Sequence, residues 1–352
     1  MVILLQFILA IAGLIVVHEL GHFLASRAVG IPVEEFGIGF PPRMLRLFRW
    51  RETEFTLNWI PLGGFVRPAG ETDEGVPNGL AAAPPWKRIV VLLAGPVANI
   101  LLAIALYALI FGQLGAPDLE RVQVLAVEAG SPADEAGLQE GDNILFVGNE
   151  AVDSTQELQD LIYANLGDPI DITFERGGRE STVQLIPRDP PPETGAIGIS
   201  MVHPRIAISG LEAFSHGATA VREQVSALAS LPAQLISGQA NPEEGRLVGY
   251  KGMYDIFSEV RSADITAGAE LPAGINTFAF LAAISTSLAV LNLLPVPALD
   301  GGRILFTLPE LLTGRRIPQD FENAVNLVGL GALLLLMIYI NLQDFLNPVV
   351  LP

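Results

Sequence analysis

"IVVHELGHFLASRAVG", residues 15–30, decides how this chain is read, because it joins two requirements that a soluble helix does not combine. Ahead of it, Met1 to Val17 contain one polar side chain, Gln6, and no charge. Within it, His18 and His22 stand four residues apart, so a helix places them one turn above the other on a single face, where they can share one metal ion. Glu19, next to the first histidine, can then take a proton from metal-bound water. Ionisable groups at a membrane span are costly and mark function, which favours a site over a chance pattern.

Composition extends the membrane reading to the rest of the chain. Half of the 352 residues are hydrophobic and only 16% are charged. About twenty uncharged residues cross a bilayer as a helix, and four stretches approach that length. They predict spans over 1–28, 89–112, 275–302 and 324–345. The first has no basic residue before Arg27 and no convincing cleavage site, so it is read as a retained span and not as a signal peptide. The third carries Asn276, Thr277, Ser285, Thr286, Ser287 and Asn292, a polar content that faces other helices or a cavity.

Charge gives an orientation. Residues 113–274 hold 9 Lys plus Arg against 25 Asp plus Glu, whereas the shorter Arg27–Arg88 segment holds 8 basic residues. The denser basic segment is expected in the cytoplasm and the acidic one outside, which puts the N-terminus outside. The acidic balance argues against a nucleic-acid partner. The chain has no cysteine, so disulfide and thiol chemistry are absent.

Between the spans, residues 29–88 form a cytoplasmic-side loop. Its stretches "RETEFTLNWIP" and "GGFVRPAG" read as short strands of a β-hairpin. The aromatic residues Phe36, Phe40, Phe48, Trp50, Phe55, Trp59 and Phe65 predict that this loop dips into or lies on the membrane. Residues 119–201 have another texture: "GSPADEAGLQEGDNILFVGNEAV" resembles the core of a PDZ domain, against the alternative of a generic α/β insert. PDZ domains take extended peptide at a sheet edge, and Val122–Val127 is the expected receiving strand. Residues 202–274 follow as an extracytoplasmic segment. Its amphipathic pattern over Gly210–Gly238 fits a helix on the membrane surface or one packed on the PDZ-like domain. Residues 303–323 read as a cytoplasmic loop.

A catalytic zinc takes three protein ligands and keeps one position for water. His203 and His216, in the acidic segment, read as surface or packing residues. Asp300 fits instead: it follows "NLLPVPAL" at the end of the third span, and by parity the first and third spans end on the same side. At 1.5 Å per residue His18 lies about 25 Å along the first helix, at a matching depth. Pro295 and Pro297 break the third helix and let the Asp300 carboxylate turn inward.

"VVHELGHFLASRAVGI", "FGIGFPPR", "PLGGFVRPAGE", "AGPVANILLA", the PDZ-like insert and "LNLLPVPALDGGRI" occur in the order found in bacterial site-2 proteases, the intramembrane zinc metalloproteases, and over nearly the whole chain the sequence resembles that family. The resemblance implies a polytopic helical protein of the bacterial cytoplasmic membrane with an inserted extracytoplasmic PDZ-like domain. It implies cleavage of single-span membrane proteins within the bilayer, such as an anti-sigma factor or a signal-peptide remnant, with Zn2+ held by His18, His22 and Asp300 and with Glu19 as base. It further implies that Asn292 bonds substrate backbone or the developing oxyanion, and that Asn99 has a like role, a helix–helix hydrogen bond being its alternative. The strand Gly63-Gly64-Phe65-Val66 would pair with unwound substrate, and the PDZ-like domain would take a peptide or substrate tail. The sequence departs from the family in showing one PDZ pattern where many members have two. "RLVGYKGMYDIF" also keeps little of a Gly-Pro-x-Gly-Ile pattern. Two rivals stand beside this reading: a membrane zinc protease acting on soluble or misfolded segments at the cytoplasmic face, and a non-catalytic PDZ scaffold.

Overall fold

A computed structural model describes residues 2–73, 75–192, 194–239, 245–268 and 272–348. The remaining positions, which include Glu193 in the proline-rich seam and part of the 202–274 segment, lie outside the described residues. The chain divides into two compact units, one of residues 1–113 and 210–352, the other of residues 114–209.

The first unit begins with α1 (Val2–Ala28), whose length follows from its uninterrupted apolar run and which ends where Gly30 turns with φ of 82°. Two strands follow, β1 (Val33–Trp50) and β2 (Thr53–Pro68). They pair antiparallel from Trp50↔Thr53 to Arg43↔Asn58, and again from Val33↔Pro68 to Ile38↔Gly64, while Glu35–Ile38 also register with Glu54–Leu57. The result is a curled sheet in which Gly64–Pro68 has a strand partner on one side only among the described residues. This corrects the expected pairing of 51–61 with 63–70: one strand spans both stretches, and its partner comes from "FGIGFPPRMLRLFRW". Gly63 and Gly64 were read as a break. Instead, Gly63, at φ 143°, leaves room for Phe40, whose ring would lie 2.2 Å from a Cβ there, so the strand bends without ending.

Helix α2 (Pro85–Leu114) is longer at both ends than the predicted span 89–112 and contains Pro96. Gly21 of α1 meets it so closely that a Cβ would lie 2.2 Å from the Ala94 carbonyl, the small-residue contact that holds helices together where lipid removes a hydrophobic drive.

The second unit comprises β3 (Ala116–Pro117), β4 (Val122–Val127), α3 (Pro132–Ala136), β5 (Asn143–Val147), β6 (Glu150–Ala151), α4 (Thr155–Tyr163), β7 (Ile170–Arg176), β8 (Arg179–Leu185), β9 (Ile199–Val202) and β10 (Arg205–Ile206). Ser131 and Ser154 cap α3 and α4 through Asp134 N–H and Glu157 N–H, and Glu157 returns a bond to Asp153 N–H. Val122, Val124, Ile144, Leu158, Ile172 and Phe174 form the core. Buried Asp142 accepts two bonds from Arg176 at 2.6 and 2.7 Å. The main sheet runs β8-β7-β5-β4-β9. Val122–Val127, the expected receiving strand, is therefore corrected: β5 and β9 occupy its two edges, and the sheet ends in β8 on one side and β9 on the other. Between β9 and α4 runs a groove of about 240 Å³ lined by Ile162, Tyr163, Ile197 and Met201.

The first unit resumes with α5 (Gly210–Ser237), α6 (Tyr250–Ala267), α7 (Ile275–Leu293), α8 (Asp300–Thr313) and α9 (Gln319–Leu346). Neither placement expected for residues 210–238 anticipated what α5 touches: a Cβ on Gly217 would meet the Ile104 carbonyl of α2 at 2.7 Å, and Gln224 Nε2 donates to Ala283 O of α7 at 2.9 Å. Helix α6 is tied to α1 through Phe7, Tyr254 and Phe257. The third span is also corrected. Pro295 has no N–H to continue α7, so the helix stops at Leu293, residues 294–299 turn, and Asp300 opens α8. Most of the expected loop 303–323 is thus helical to Thr313, and the span predicted at 324–345 begins at Gln319. Helices α1, α2, α7 and α9 are long and apolar enough to cross a membrane.

Candidate metal centre

Three side chains converge between α1 and the start of α8. His18 Nε2 and His22 Nε2 are 3.1 Å apart, and Asp300 Oδ2 is 3.2 Å from the first and 3.4 Å from the second. Among the described residues this is one group of His, Cys, Asp or Glu able to hold a metal ion. The four-residue spacing on α1 supplies the histidine pair. The break after Leu293 supplies the carboxylate: Gly301 and Gly302 sit so tightly on the preceding turn that Cβ atoms would fall 2.2 Å from Leu293 O and from Val296 O. Ala298, at φ 73°, is held there by Asn326 Oδ1, which accepts its N–H at 3.0 Å.

The outer nitrogens of both imidazoles are engaged. His22 Nδ1–H donates to Val91 O at 2.8 Å, which leaves Nε2 a bare lone pair facing inward. Asn99, fully buried on α2, lies 3.3 Å from His18 Nδ1, and its Oδ1 is buried without a partner. The other orientation of that amide lets Oδ1 accept His18 Nδ1–H, satisfies the oxygen and turns a second lone pair inward. Ser285 Oγ–H donates to Asn99 O at 2.9 Å and fixes this part of α2 against α7.

The residues fit a zinc ion. Ligand atoms of a four-coordinate zinc stand about 3.3 Å from one another, close to the three separations above. Asp300 Oδ2 is buried and accepts no hydrogen bond, so the atoms converge without satisfying each other. A Cβ on Gly95 would lie 2.3 Å from His22 Nε2 and 2.6 Å from His18 Nε2, so the absence of a side chain at Gly95 keeps the space between the donors open.

Glu19 is half-buried next to the cluster, and a Cβ on Gly64 would lie 3.4 Å from its Cγ, so Gly63-Gly64-Phe65-Val66 passes beside the carboxylate. Asn292 lies in the last turn of α7, next to Leu293, whose carbonyl Gly301 meets, and its amide has no hydrogen-bond partner among the described residues. Asn99 differs from its expected substrate role, since its amide faces His18 and it has no exposed surface. His203 Nδ1–H donates to Arg121 O and His216 packs against Phe111; neither joins the group. Sequence reasoning missed Gly95 and Gly21. Their signal is a glycine beside a proline in "AGPVAN" and inside the histidine motif.

Four apolar helices, with His18, Glu19 and His22 on the first of them and Asp300 brought to the histidines at the start of α8, define a membrane protein of the metal-dependent hydrolase type. The model of peptidase family M50 matches residues 6–336, and the chain belongs to that family. A Clostridium perfringens protein named as a zinc metalloprotease is 32% identical over 97% of this chain and 98% of its own. One from Synechocystis, similarly named, is 33% identical over 96% and 93%, and metalloprotease MmpA of Caulobacter vibrioides 29% over 98% and 95%. The PDZ domain of an SdrC-like protein from Listeria monocytogenes is 28% identical over 24% of this chain and 88% of that one, with a TM-score of 0.21. The protein is a zinc metallopeptidase of the membrane.

Proposed function

We propose that the protein is an intramembrane endopeptidase that cuts the membrane-spanning segments of single-span proteins, such as an anti-sigma factor or a signal-peptide remnant. The observation that carries this reading is the depth of the site: the ligand atoms belong to residues 18 and 22 of a 27-residue apolar helix, so the donors lie inside the span and not beyond it. In this reading His18, His22 and Asp300 hold the zinc. When bound, zinc polarises the scissile carbonyl and lowers the pKa of its water. Glu19 accepts the water proton and returns it to the leaving amine. Asn292, with its free amide at the end of α7, donates to substrate backbone or to the oxyanion. The open edge of Gly64–Pro68 beside Glu19 supports pairing with an unwound substrate, since backbone hydrogen bonds hold an extended chain in register.

Orientation belongs to the same proposal. The basic 27–88 segment faces the cytoplasm, the active site lies near that side, and residues 114–209 are extracytoplasmic. That unit acts as a PDZ domain, taking a peptide or substrate tail at the β9 edge beside α4. The experiment is a comparison of the membrane proteomes of cells carrying the unaltered protein and Glu19→Gln. The reading expects single-span fragments to accumulate with the variant. Identical proteomes, with both proteins expressed and zinc-loaded, would contradict it.

A further inference from the structure

The ribbon at the turn of the β1–β2 sheet has a composition unlike the rest of this acidic chain. Residues 43–51 read Arg-Met-Leu-Arg-Leu-Phe-Arg-Trp-Arg, and every one of them is exposed. Four arginines stand within these nine residues, in a protein of net charge −18. Arg43 pairs with both Glu35 and Glu54 at 3.1 Å, Arg46 reaches Glu54 at 3.3 Å, and Glu52 faces Arg27. Arg49 donates to its neighbour's carbonyl, Arg51 O, and Arg51 lies 5.5 Å over the Trp50 ring; neither has an acidic partner among the described residues. Exposed guanidinium groups between exposed Met44, Leu47 and Trp50 make a surface that is cationic and apolar at once.

The ribbon also has a defined position along the first span. At its inner end, Gly63 and Phe40 are in contact and Gly64 passes beside Glu19. At the turn, Arg27 at the end of α1 reaches Glu52 at 3.5 Å and stacks on Trp50 at 4.7 Å. Arg27 lies eight positions beyond Glu19 on the helix, about 12 Å along the axis. Phe40, Trp59 and Ile60, all exposed, therefore lie beside the interior of the span, and Arg49, Trp50 and Arg51 lie beside its end. Lipid phosphates occupy that level. Arginine forks match phosphate oxygens in pairs, and tryptophan favours the same interface.

We propose that Arg46, Arg49 and Arg51 form a docking surface for the headgroup phosphates of anionic phospholipids, with Phe40, Trp59 and Ile60 set among the acyl chains. Zwitterionic lipid offers a phosphate already balanced by its own cation, so the surface selects anionic lipid by charge. The inference rests on the membrane placement of the first unit but not on its peptidase activity. Its consequence is an annulus of anionic lipid beside the edge strand that is to receive substrate.

The test uses the full-length protein in nanodiscs, with Trp59→Phe and Trp86→Phe leaving Trp50 as the single reporter. Brominated phosphatidylglycerol and brominated phosphatidylcholine are compared as quenchers at equal mole fraction in an otherwise unbrominated mixed bilayer. The expected result is about twofold stronger quenching by the anionic lipid, lost in Arg46→Gln/Arg49→Gln/Arg51→Gln and weakened by added salt. Equal quenching by the two lipids overturns the lipid preference while leaving the membrane placement standing. No quenching by either overturns both. A preference that survives in the triple variant assigns it to other residues and overturns the proposal; the salt titration reads the same preference in a protein with all its arginines.

Discussion

At the scale of single residues the centre depends as much on what is missing as on what is present. Gly95 carries no side chain where a methyl group would come within 2.3 Å of His22 Nε2. Gly95→Ala is therefore expected to remove bound zinc, read as metal per protein by elemental analysis, while the helical circular dichroism stays unchanged. Asn99→Ala is expected to weaken zinc by about 10- to 100-fold, since the His18 ring loses the partner that orients it. A chelator competition measures that loss without reference to catalysis. Glu19→Gln reverses the pattern: zinc is retained and cleavage falls by a factor of roughly 10² to 10⁴, the usual contribution of a positioned base. The histidines and Glu19 were legible from spacing alone, because helical periodicity fixes which side chains share a face. Gly95 was not, because a glycine's role lies in what another helix places opposite it.

At the scale of elements the decisive feature is the interrupted third span. Its apolar run and its two prolines were legible, and so was the arrival of Asp300 at the depth of the histidines. The new helix beginning at Asp300 was hidden, since residues up to 302 read as the end of the third span and 303–323 as a loop, while in the fold Gly301 and Gly302 allow contact with Leu293 O and Val296 O. Gly301→Ala is expected to displace Asp300 and lower zinc occupancy in the same elemental assay. The start of α7 is secured from α6: Asp264 accepts Asn276 N–H and Thr277 N–H at 3.0 Å, and also the Thr277 hydroxyl. Burial raises the Asp264 pKa, but the hydrogen bonds from Thr277 and Asn276 outweigh it and hold the carboxyl below its usual range. A lowered folded pKa means the stabilisation is complete above the ordinary carboxylate range and is lost as pH falls through the lowered value. Asp264→Ala is expected to cost about 1 kcal/mol, the worth of a helix cap, at neutral pH. In detergent melts, the difference from the unaltered protein should shrink as the solution is acidified below about pH 4. A difference that grows on acidification contradicts the assignment.

At the scale of the whole molecule, the chain joins a helical membrane unit to an inserted sheet domain. Composition separated the two, since the acidic, alternating texture of residues 119–201 contrasts with the apolar spans around it. It could not say which strand edge stays open, because that depends on β9 returning from the far end of the domain to pair with β4. If the domain screens substrates, deleting residues 121–187 alters the preference between intact and pre-trimmed substrates, and an unchanged preference removes the screening role. The central claim is that peptide bonds are cut inside the bilayer by the His18, His22 and Asp300 centre with Glu19. The measurement that tests it most directly is mass-spectrometric mapping of the cut in a single-span substrate co-reconstituted with the zinc-loaded protein. The account predicts new termini within the apolar segment, abolished by Glu19→Gln and by chelation, and restored by zinc. Cleavage confined to segments outside the membrane, or undiminished in Glu19→Gln, would contradict it.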